Sequence, residues 1–572
     1  MLKKTKLNYF VFNLSFVIIL LTLAGYKFYP IYLAKDSIII SFAIHPFDIC
    51  EKYPEIWVKI KCLYIVFFIC SSLIISNTIY SSIFTKKNIS SKKILSKNSS
   101  DLSLIINNSN LEEPIILPKQ SLYQNILITG TIGSGKTSCA MYPFTKQLIK
   151  YKYNDSQKKL GMLILDVKGN YYSQVKKYAD YYGRSNDLIV IGLDENIKYN
   201  PLDKPNLKPT ILANRLKTIL TLFSQNNSES YWLDKAEQIL AECIKLCRLY
   251  NDGYVTFSEI HKLVTVPDYY NEKLHFLREK FLSGKLTKTE IHDLLSSIEF
   301  FEKEFLNLDS RTASILKSEI TRITGCFISD FDVLNIFSPK RKDLNFFGFE
   351  DVVNSGKIVV LKMNIAEYRN LSKIIAAYLK LDFQTEVMAR LAHRNFEIRD
   401  VAFISDEYHE YVTETDANFF AQSREAKCIN IVATQSYTSL LNAINNQYSV
   451  KVIVQNLINK FWFRTDDVFT IEDIQKQVGK EDKKKFSKSI SENSNKAKFN
   501  FLTRTFNSND SSISESINSY TQYDYVFDTH FFTQELSTFS CLAFLSTGTS
   551  IISPKKISLI PYFILDKDME QK

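Results

Sequence analysis

The run Gly130-Thr131-Ile132-Gly133-Ser134-Gly135-Lys136-Thr137 fits the phosphate-binding pattern G-x-x-x-x-G-K-[ST] at every position. Its flanks are those of a strand, loop and helix. Asn125 to Thr129 is an apolar run of strand length, and Ser138 to Lys150 can form a helix interrupted only by Pro143. The glycines of such a loop let successive backbone N–H groups curl around a β-phosphate. Lys136 then reaches the β- and γ-phosphates, and the Thr137 hydroxyl is placed to bind Mg²⁺. Gly130, Thr131, Ile132, Gly133, Ser134, Gly135, Lys136, Thr137 and Ser138 are therefore the candidate ATP-binding set. The plainer reading is a glycine loop that only caps a helix.

A phosphate loop hydrolyses nothing without a second strand that holds the metal shell and polarises water. Val401 to Ser405 is an apolar run that ends in Asp406 and Glu407. The pair suits Asp406 to Mg²⁺ and Glu407 to general-base work, although paired acids after a strand are also common as surface turns. Asp166-Val167-Lys168-Gly169 closes the run Leu160 to Leu165, at the carboxyl edge where ligands of open parallel sheets sit, which makes Asp166 and Lys168 candidate nucleotide contacts. Gln435 follows the run Cys428 to Thr434, where its amide can sense a γ-phosphate or orient water. Arg424 lies on an expected helix before that run. It reads as an arginine finger for a neighbouring subunit or, equally, as an exposed ion-pairing arginine.

Further out, Asp187 to Ile191, Ile358 to Lys362 and Lys460 to Arg464 are also strand-length apolar runs, and helix-like segments separate several of them. The fold expected is α/β with a largely parallel sheet. Residues 224–342 break that rhythm with helical periodicity, as in Trp232 to Leu249 and Leu286 to Leu306, and read as a helical domain inserted between two parts of a nucleotide-binding domain, 111–223 and 343–572. Residues 475–504 hold nine Lys or Arg against three acids and are rich in Ser and Asn. That segment reads as a solvated loop, with a polyanion contact as the alternative.

The chain has 572 residues and a formal net charge of +10. Residues 1–100 carry 13 Lys against four acids, leaving 58 basic and 57 acidic residues beyond them, so bulk charge gives no argument for nucleic-acid binding outside the first hundred residues. The nine cysteines show no short paired spacing suited to zinc, and Cys243 with Cys247 reads as one face of a helix. Leu7 to Tyr26 and Cys62 to Thr85 are uncharged runs of 20 and 24 residues, each long enough to cross a bilayer as a helix. Lysines precede the first and follow the second, which puts both termini in the cytoplasm and makes residues 1–87 a two-span anchor in the cell membrane. Residues 88–110, dominated by Ser, Asn and Lys, read as a linker.

Together these motifs resemble the type IV secretion coupling proteins, the conjugative DNA-transfer ATPases of the TraG/TraD type. The resemblance rests on the two spans, Gly130 to Thr137, the DVKG run at Asp166, Asn200-Pro201-Leu202, Asp406-Glu407, and Ser423-Arg424-Glu425 leading to Ala433-Thr434-Gln435-Ser436. It implies a RecA/FtsK-like P-loop motor with an all-helical domain. It also implies a homo-hexamer at the cytoplasmic membrane that couples relaxase-bound DNA to the subunits of a secretion channel, with ATP and Mg²⁺ as cofactors. Carried onto this sequence, it gives Lys136 and Thr137 to ATP and Mg²⁺, Asp406 and Glu407 to metal and hydrolysis, Gln435 to sensing and Arg424 to a trans finger. Two positions depart from the family pattern: Asn170 follows DVKG where an acid is frequent, and Ser405 precedes Asp406 where an apolar residue is usual.

Two competing readings remain open. A related hexameric motor acting on chromosomal DNA would share the loop and the carboxylates, but the helical insertion and the SRE-to-ATQS segment argue against it. A receptor that uses nucleotide only as an assembly switch would pass protein cargo to a channel, and Glu407 argues against it, since a switch needs no general base.

Overall fold

The computed structural model describes residues 101–108, 114–223, 230–392, 398–493, 498–500, 505–507 and 512–569. The runs Leu7 to Tyr26 and Cys62 to Thr85 lie outside them, and among the described residues no helix is long and apolar enough to cross a membrane.

In chain order the strands are β1 (Ser103–Ile106), β2 (Ile115–Pro118), β3 (Ile126–Thr129), β4 (Gly161–Leu165), β5 (Leu188–Ile191), β6 (Ile358–Leu361), β7 (Val401–Ser405), β8 (Cys428–Thr434), β9 (Asn459–Phe463), β10 (Lys480–Asn493), β11 (Lys498–Asn500), β12 (Thr505–Asn507), β13 (Ser512–Tyr525), β14 (Ser540–Phe544) and β15 (Lys555–Ser558). Nine of them form one sheet in the order β15-β14-β9-β3-β8-β7-β4-β6-β5. From β9 to β5 every pairing is parallel, and β14 and β15 close one edge antiparallel. Near-continuous apolar runs such as Val401–Ser405 and Cys428–Thr434 are what a parallel sheet covered on both faces requires.

The strand order decides the geometry of the site. β8 lies between β3 and β7, so the strand that feeds the phosphate loop and the strand that ends in carboxylates are about 10 Å apart. The residue that leaves β8 at the same edge is Gln435.

On one face Ile126, Ile128, Met162 and Ile164 pack under the helices Tyr142–Lys150 and Tyr171–Tyr181. On the other, Leu127, Leu163 and Leu165 join a cluster that runs on without a break into Ile244, Phe257 and Phe327. The helices from Pro209–Thr221 to Phe331–Phe337 thus form the crossover between β5 and β6 and share one apolar core with the sheet. Their ends are fixed by side chains. Thr256 with Glu259 and Thr287 with Glu290 form reciprocal capping boxes, and Asp309 and Asp330 accept backbone N–H groups at two more starts. Buried Asp382, on the helix Ile365–Ala389, ties this body down by accepting from Arg215 at 2.9 Å and Tyr199 at 2.7 Å, with Lys204 at 3.0 Å. Asn200 donates to the Val255 carbonyl at 2.8 Å, so the Asn200-Pro201-Leu202 segment seats the helical body and lies outside the phosphate site.

Three expectations change. Ser103–Ile106, inside the stretch read as a linker, is a strand paired with β2, because Leu102, Leu104 and Ile106 turn to the core. The helix expected from Ser138 opens instead as a π turn, Thr137–Met141, before the α-helix Tyr142–Lys150. Pro143 lacks the N–H that a regular first turn would direct to Cys139. The segment read as a solvated loop is largely structured: the helix Val468–Val478 is followed by β10, which pairs antiparallel with β13 over 14 residues. Phe486, Tyr523 and Ile517 stay exposed on it, so neither arm shows the one-sided burial that announces a strand.

Candidate nucleotide site

Gly130 leaves β3 with φ 155°, and a Cβ there would lie 2.5 Å from the Phe463 Cβ of the neighbouring strand. Gly135 has φ 100°, and its Cβ would meet the Phe539 ring at 2.5 Å. Glycine is needed at both positions for conformation and for space. Hydrogen bonds anchor the loop to three different strand ends: Gly130 N–H donates to the Gln435 carbonyl (3.2 Å), Thr131 N–H to the Arg464 carbonyl (2.9 Å), and Phe539 N–H to the Ser134 carbonyl (3.0 Å). Thr131 Oγ1 also donates to Arg464 O at 3.2 Å, and Ser138 Oγ to Gly135 O at 3.2 Å. Ile132, at the tip, is exposed and Gly133 has open space around it.

Lys136 is buried, and its ammonium donates to the Gly130 carbonyl at 2.6 Å and the Thr131 carbonyl at 3.2 Å. Burial pushes its pKa down, partly offset by Glu407 and Asp406. Thr137 Oγ1 donates to Asp406 Oδ2 at 2.8 Å, so the two residues expected to share a metal ion are in contact across the sheet edge. Burial pushes the Asp406 carboxyl up to about 6, with the Asp166 and Glu407 carboxylates adding to it. A buried carboxylate crowded by two others is a site that a divalent cation relieves, and Thr137 and Asp406 offer the hard oxygen donors Mg²⁺ takes.

Glu407 sits in the left-handed region at φ 47°, which turns its side chain back over the strand ends. Lys168 Nζ lies 3.2 Å from Glu407 Oε1, and Gln435 Nε2 donates to Oε2 at 3.4 Å. Burial lowers the Lys168 pKa, but Asp406 and Glu407 outweigh it and the net shift is upward. The structure therefore brings Lys136, Thr137, Lys168, Asp406, Glu407 and Gln435 to one edge.

Asp166 is placed differently from a ligand-facing carboxylate. It is buried and accepts from the backbone N–H of Lys168 (3.0 Å), Asn170 (3.2 Å) and Tyr171 (3.1 Å), which fixes the start of the helix Tyr171–Tyr181. Its effect on the site is the charge it places beside Asp406. Arg424 is exposed in the turn after the helix Asp416–Gln422, before β8 begins, and so is not on a helix. The seven residues of β8 put about 20 Å between it and the edge that holds the loop of the same chain. Its neighbour Ser423 is buried and accepts from Asn430 Nδ2 at 2.9 Å, within an amide network that includes Asn125.

Two contributors had little sequence signal. His409, two residues beyond Glu407, has Nδ1 3.2 Å from Thr434 Oγ1 and 3.8 Å from Glu407 Oε2, and burial pushes its pKa down. Only its spacing from Glu407 could have pointed to it. Phe539 reaches the loop from the turn before β14, more than 400 residues downstream, and nothing local marks it.

Residues 113–308 match the family described as the type IV secretion-system coupling protein DNA-binding domain. Among solved structures, the chain is similar to the bacterial conjugative coupling protein TrwB in unbound form, at 11% identity and a TM-score of 0.52, covering 82% of this chain and 90% of that one. Plasmid coupling protein TrwB in complex with the non-hydrolysable ATP analogue ADPNP gives 12% identity and a TM-score of 0.52, with 82% and 91% covered. Its complex with ADP and Mg²⁺ gives 12% and 0.50, with 78% and 87% covered. At such identities the likeness is one of fold. No curated protein matches the chain. Residues 113–308 are therefore similar to the type IV secretion-system coupling protein DNA-binding domain, and the chain shares the fold of the TrwB coupling proteins.

Proposed function

We propose that this chain is a membrane-anchored ATPase of RecA/FtsK-like type that recruits relaxase-bound DNA and drives it through a type IV secretion channel. The observation that carries the enzymatic part is the contact of Thr137 with Asp406, with Glu407, Lys168 and Gln435 grouped beside it. The match of residues 113–308 to a coupling-protein DNA-binding domain supports the cargo.

In this reading the loop amides from Gly130 to Thr137 cradle the phosphates of ATP, and Lys136 leaves its two carbonyl partners for the β- and γ-phosphate oxygens. Thr137 and Asp406 would hold Mg²⁺, which when bound neutralises charge on those oxygens. Glu407 takes the proton of the attacking water, and Gln435 orients that carboxylate and the water. Lys168 yields Glu407 when water takes its place. Arg424, exposed and remote from its own loop, serves a neighbouring subunit of a homo-hexamer. Leu7 to Tyr26 and Cys62 to Thr85 anchor the assembly in the cytoplasmic membrane with both termini inside.

The test is ATP turnover by the full chain with and without DNA. Stimulation by DNA, lost in Lys136→Ala, supports the reading; full turnover in Lys136→Ala would refute the site. Nucleotide-dependent oligomers without turnover would favour a binding switch.

A further inference from the structure

A buried lysine whose ammonium has no hydrogen-bond or ion-pair partner among the described residues lies in the floor of a groove that the hydrolysis site does not use. Lys460, on β9, is 2% exposed. Among the described residues it makes no hydrogen bond and no ion pair, and the Phe544 ring centroid lies 5.8 Å from Nζ. Burying a charge unpaired costs several kcal/mol in order of magnitude, so a site that keeps one is set up for a counter-charge that arrives from outside.

The groove has a volume of about 370 Å³ and runs between the helices Gln447–Asn456 and Val468–Val478. Lys451 comes from the first helix, and Asp473 and Lys476 from the second. Burial raises the Asp473 pKa, and Lys460, Lys451 and Lys476 each pull it back, which places all three ammonium groups within electrostatic reach of that carboxylate. Lys476 Nζ also lies 3.3 Å from Glu472, an exposed surface pair worth little, so a phosphomonoester dianion that takes Lys476 from Glu472 meets all three ammonium groups. Val450, Val454 and Phe469 give an apolar wall for an organic body. Tyr437 lines the groove two residues beyond Gln435. Its hydroxyl accepts from Trp462 Nε1 at 2.9 Å, so its own proton points elsewhere.

We propose that this groove binds a small phosphomonoester, with the dianion at Lys460, Lys451 and Lys476 and the organic part against Val450, Val454 and Phe469. A carboxylate or a nucleic-acid diester brings one negative charge to the three ammonium groups, where a monoester brings two.

The experiment is calorimetric titration of the full chain with phenyl phosphate and with inorganic phosphate. Wild type, Lys460→Met, the double variant Lys451→Gln/Lys476→Gln and Lys136→Ala are compared. Phenyl phosphate is expected to bind wild type more tightly than inorganic phosphate, to weaken by about tenfold or more in Lys460→Met and in the double variant, and to persist in Lys136→Ala. The rim lysines are exposed, so the double variant folds whatever the fate of Lys460→Met. Binding that only Lys136→Ala removes assigns all phosphate to the loop at Gly130 to Thr137 and overturns the proposal. Absence of binding to wild type overturns it too, as does binding unchanged by either lysine variant. A 5′-hydroxyl oligonucleotide that binds through Lys460 while phenyl phosphate does not would show a diester site and reject the monoester.

Discussion

Lys380 Nζ and Asp416 Oδ2 stand 2.6 Å apart with neither side chain exposed, and the pair holds the segment that leaves Glu407. Lys380 also donates to the Tyr411 carbonyl (2.7 Å) and to Thr413 Oγ1 (2.9 Å). Asp416 accepts from Tyr408 OH (2.5 Å), Gln384 Nε2 (2.9 Å) and Thr413 N–H (3.1 Å). Tyr411 OH then donates to the Asp406 carbonyl at 2.7 Å. The left-handed backbone of Glu407 is thus held from both sides by residues that touch no substrate.

Removing one partner leaves the other buried and unpaired, so Asp416→Asn is expected to destabilise the chain by about 3–5 kcal/mol. Replacing both, as Lys380→Met/Asp416→Leu, recovers part of that. Urea unfolding midpoints of the two variants check the order; a double variant no more stable than the single one refutes the assignment.

Glu407→Gln keeps the hydrogen bond to Gln435 and loses the base. Nucleotide binding stays near wild type while turnover falls by about 10²- to 10⁴-fold. Equilibrium binding of a fluorescent ATP analogue, measured beside steady-state turnover, separates the two effects.

Gly135→Ala places a methyl group against the Phe539 ring at a φ of 100°. The backbone strain alone costs about 1–3 kcal/mol, and the ring adds to it. Nucleotide affinity falls, and Phe539→Ala in the same chain restores only the steric share. Recovery to full affinity would mean that conformation at Gly135 matters little.

Lys460 gives a pH dependence with a definite sign. Burial lowers its pKa from 10.5 to about 8, with Asp473 opposing. The groups that face it are Tyr437, Lys451, Asp473 and Lys476 from three helices and the Phe544 ring from β14. The folded state releases its proton near pH 8 and the unfolded state near 10.5, so in that window the unfolded state holds more protons and stability rises with pH. A shift of that size corresponds to roughly 3 kcal/mol. Lys460→Met removes the rise and is more stable than wild type at pH 7 without ligand. Chemical denaturation of both proteins at pH 7 and pH 10 measures it.

Excising Lys480 to Tyr525 and joining Gly479 to Val526 through a short turn leaves the sheet intact, because Val526 N–H already donates to the Gly479 carbonyl at 3.2 Å. The melting temperature of the shortened chain stays close to that of the full chain, and basal ATP turnover is kept. Loss of either would mean that the β10–β13 arm supports the core.

The phosphate loop, the carboxylate pair and the parallel strands were legible because each is local: a glycine spacing, an apolar run, two acids at its end. The order of the strands was not, since nothing in Cys428 to Thr434 says that it runs between the other two. That order is what lets Gln435 reach Glu407. The place of Asp166 after a strand points to a nucleotide contact, but the three N–H groups that occupy it belong to residues further along the turn. The paired arms β10 and β13 leave no mark in the sequence, because a ribbon that buries no face has no hydrophobic period to read.

Those arms have a mechanical meaning through Phe539. The returning strand β13 leads, within 14 residues of Tyr525, to the N–H that holds the Ser134 carbonyl and the ring that abuts Gly135. The chain that tightens the phosphate loop is therefore the same chain that roots a ribbon roughly 45 Å long. Length alone magnifies what happens at its root: a tilt of about 5° at Gly479 and Val526 carries the far end of a straight ribbon of that length through about 4 Å, close to one strand spacing.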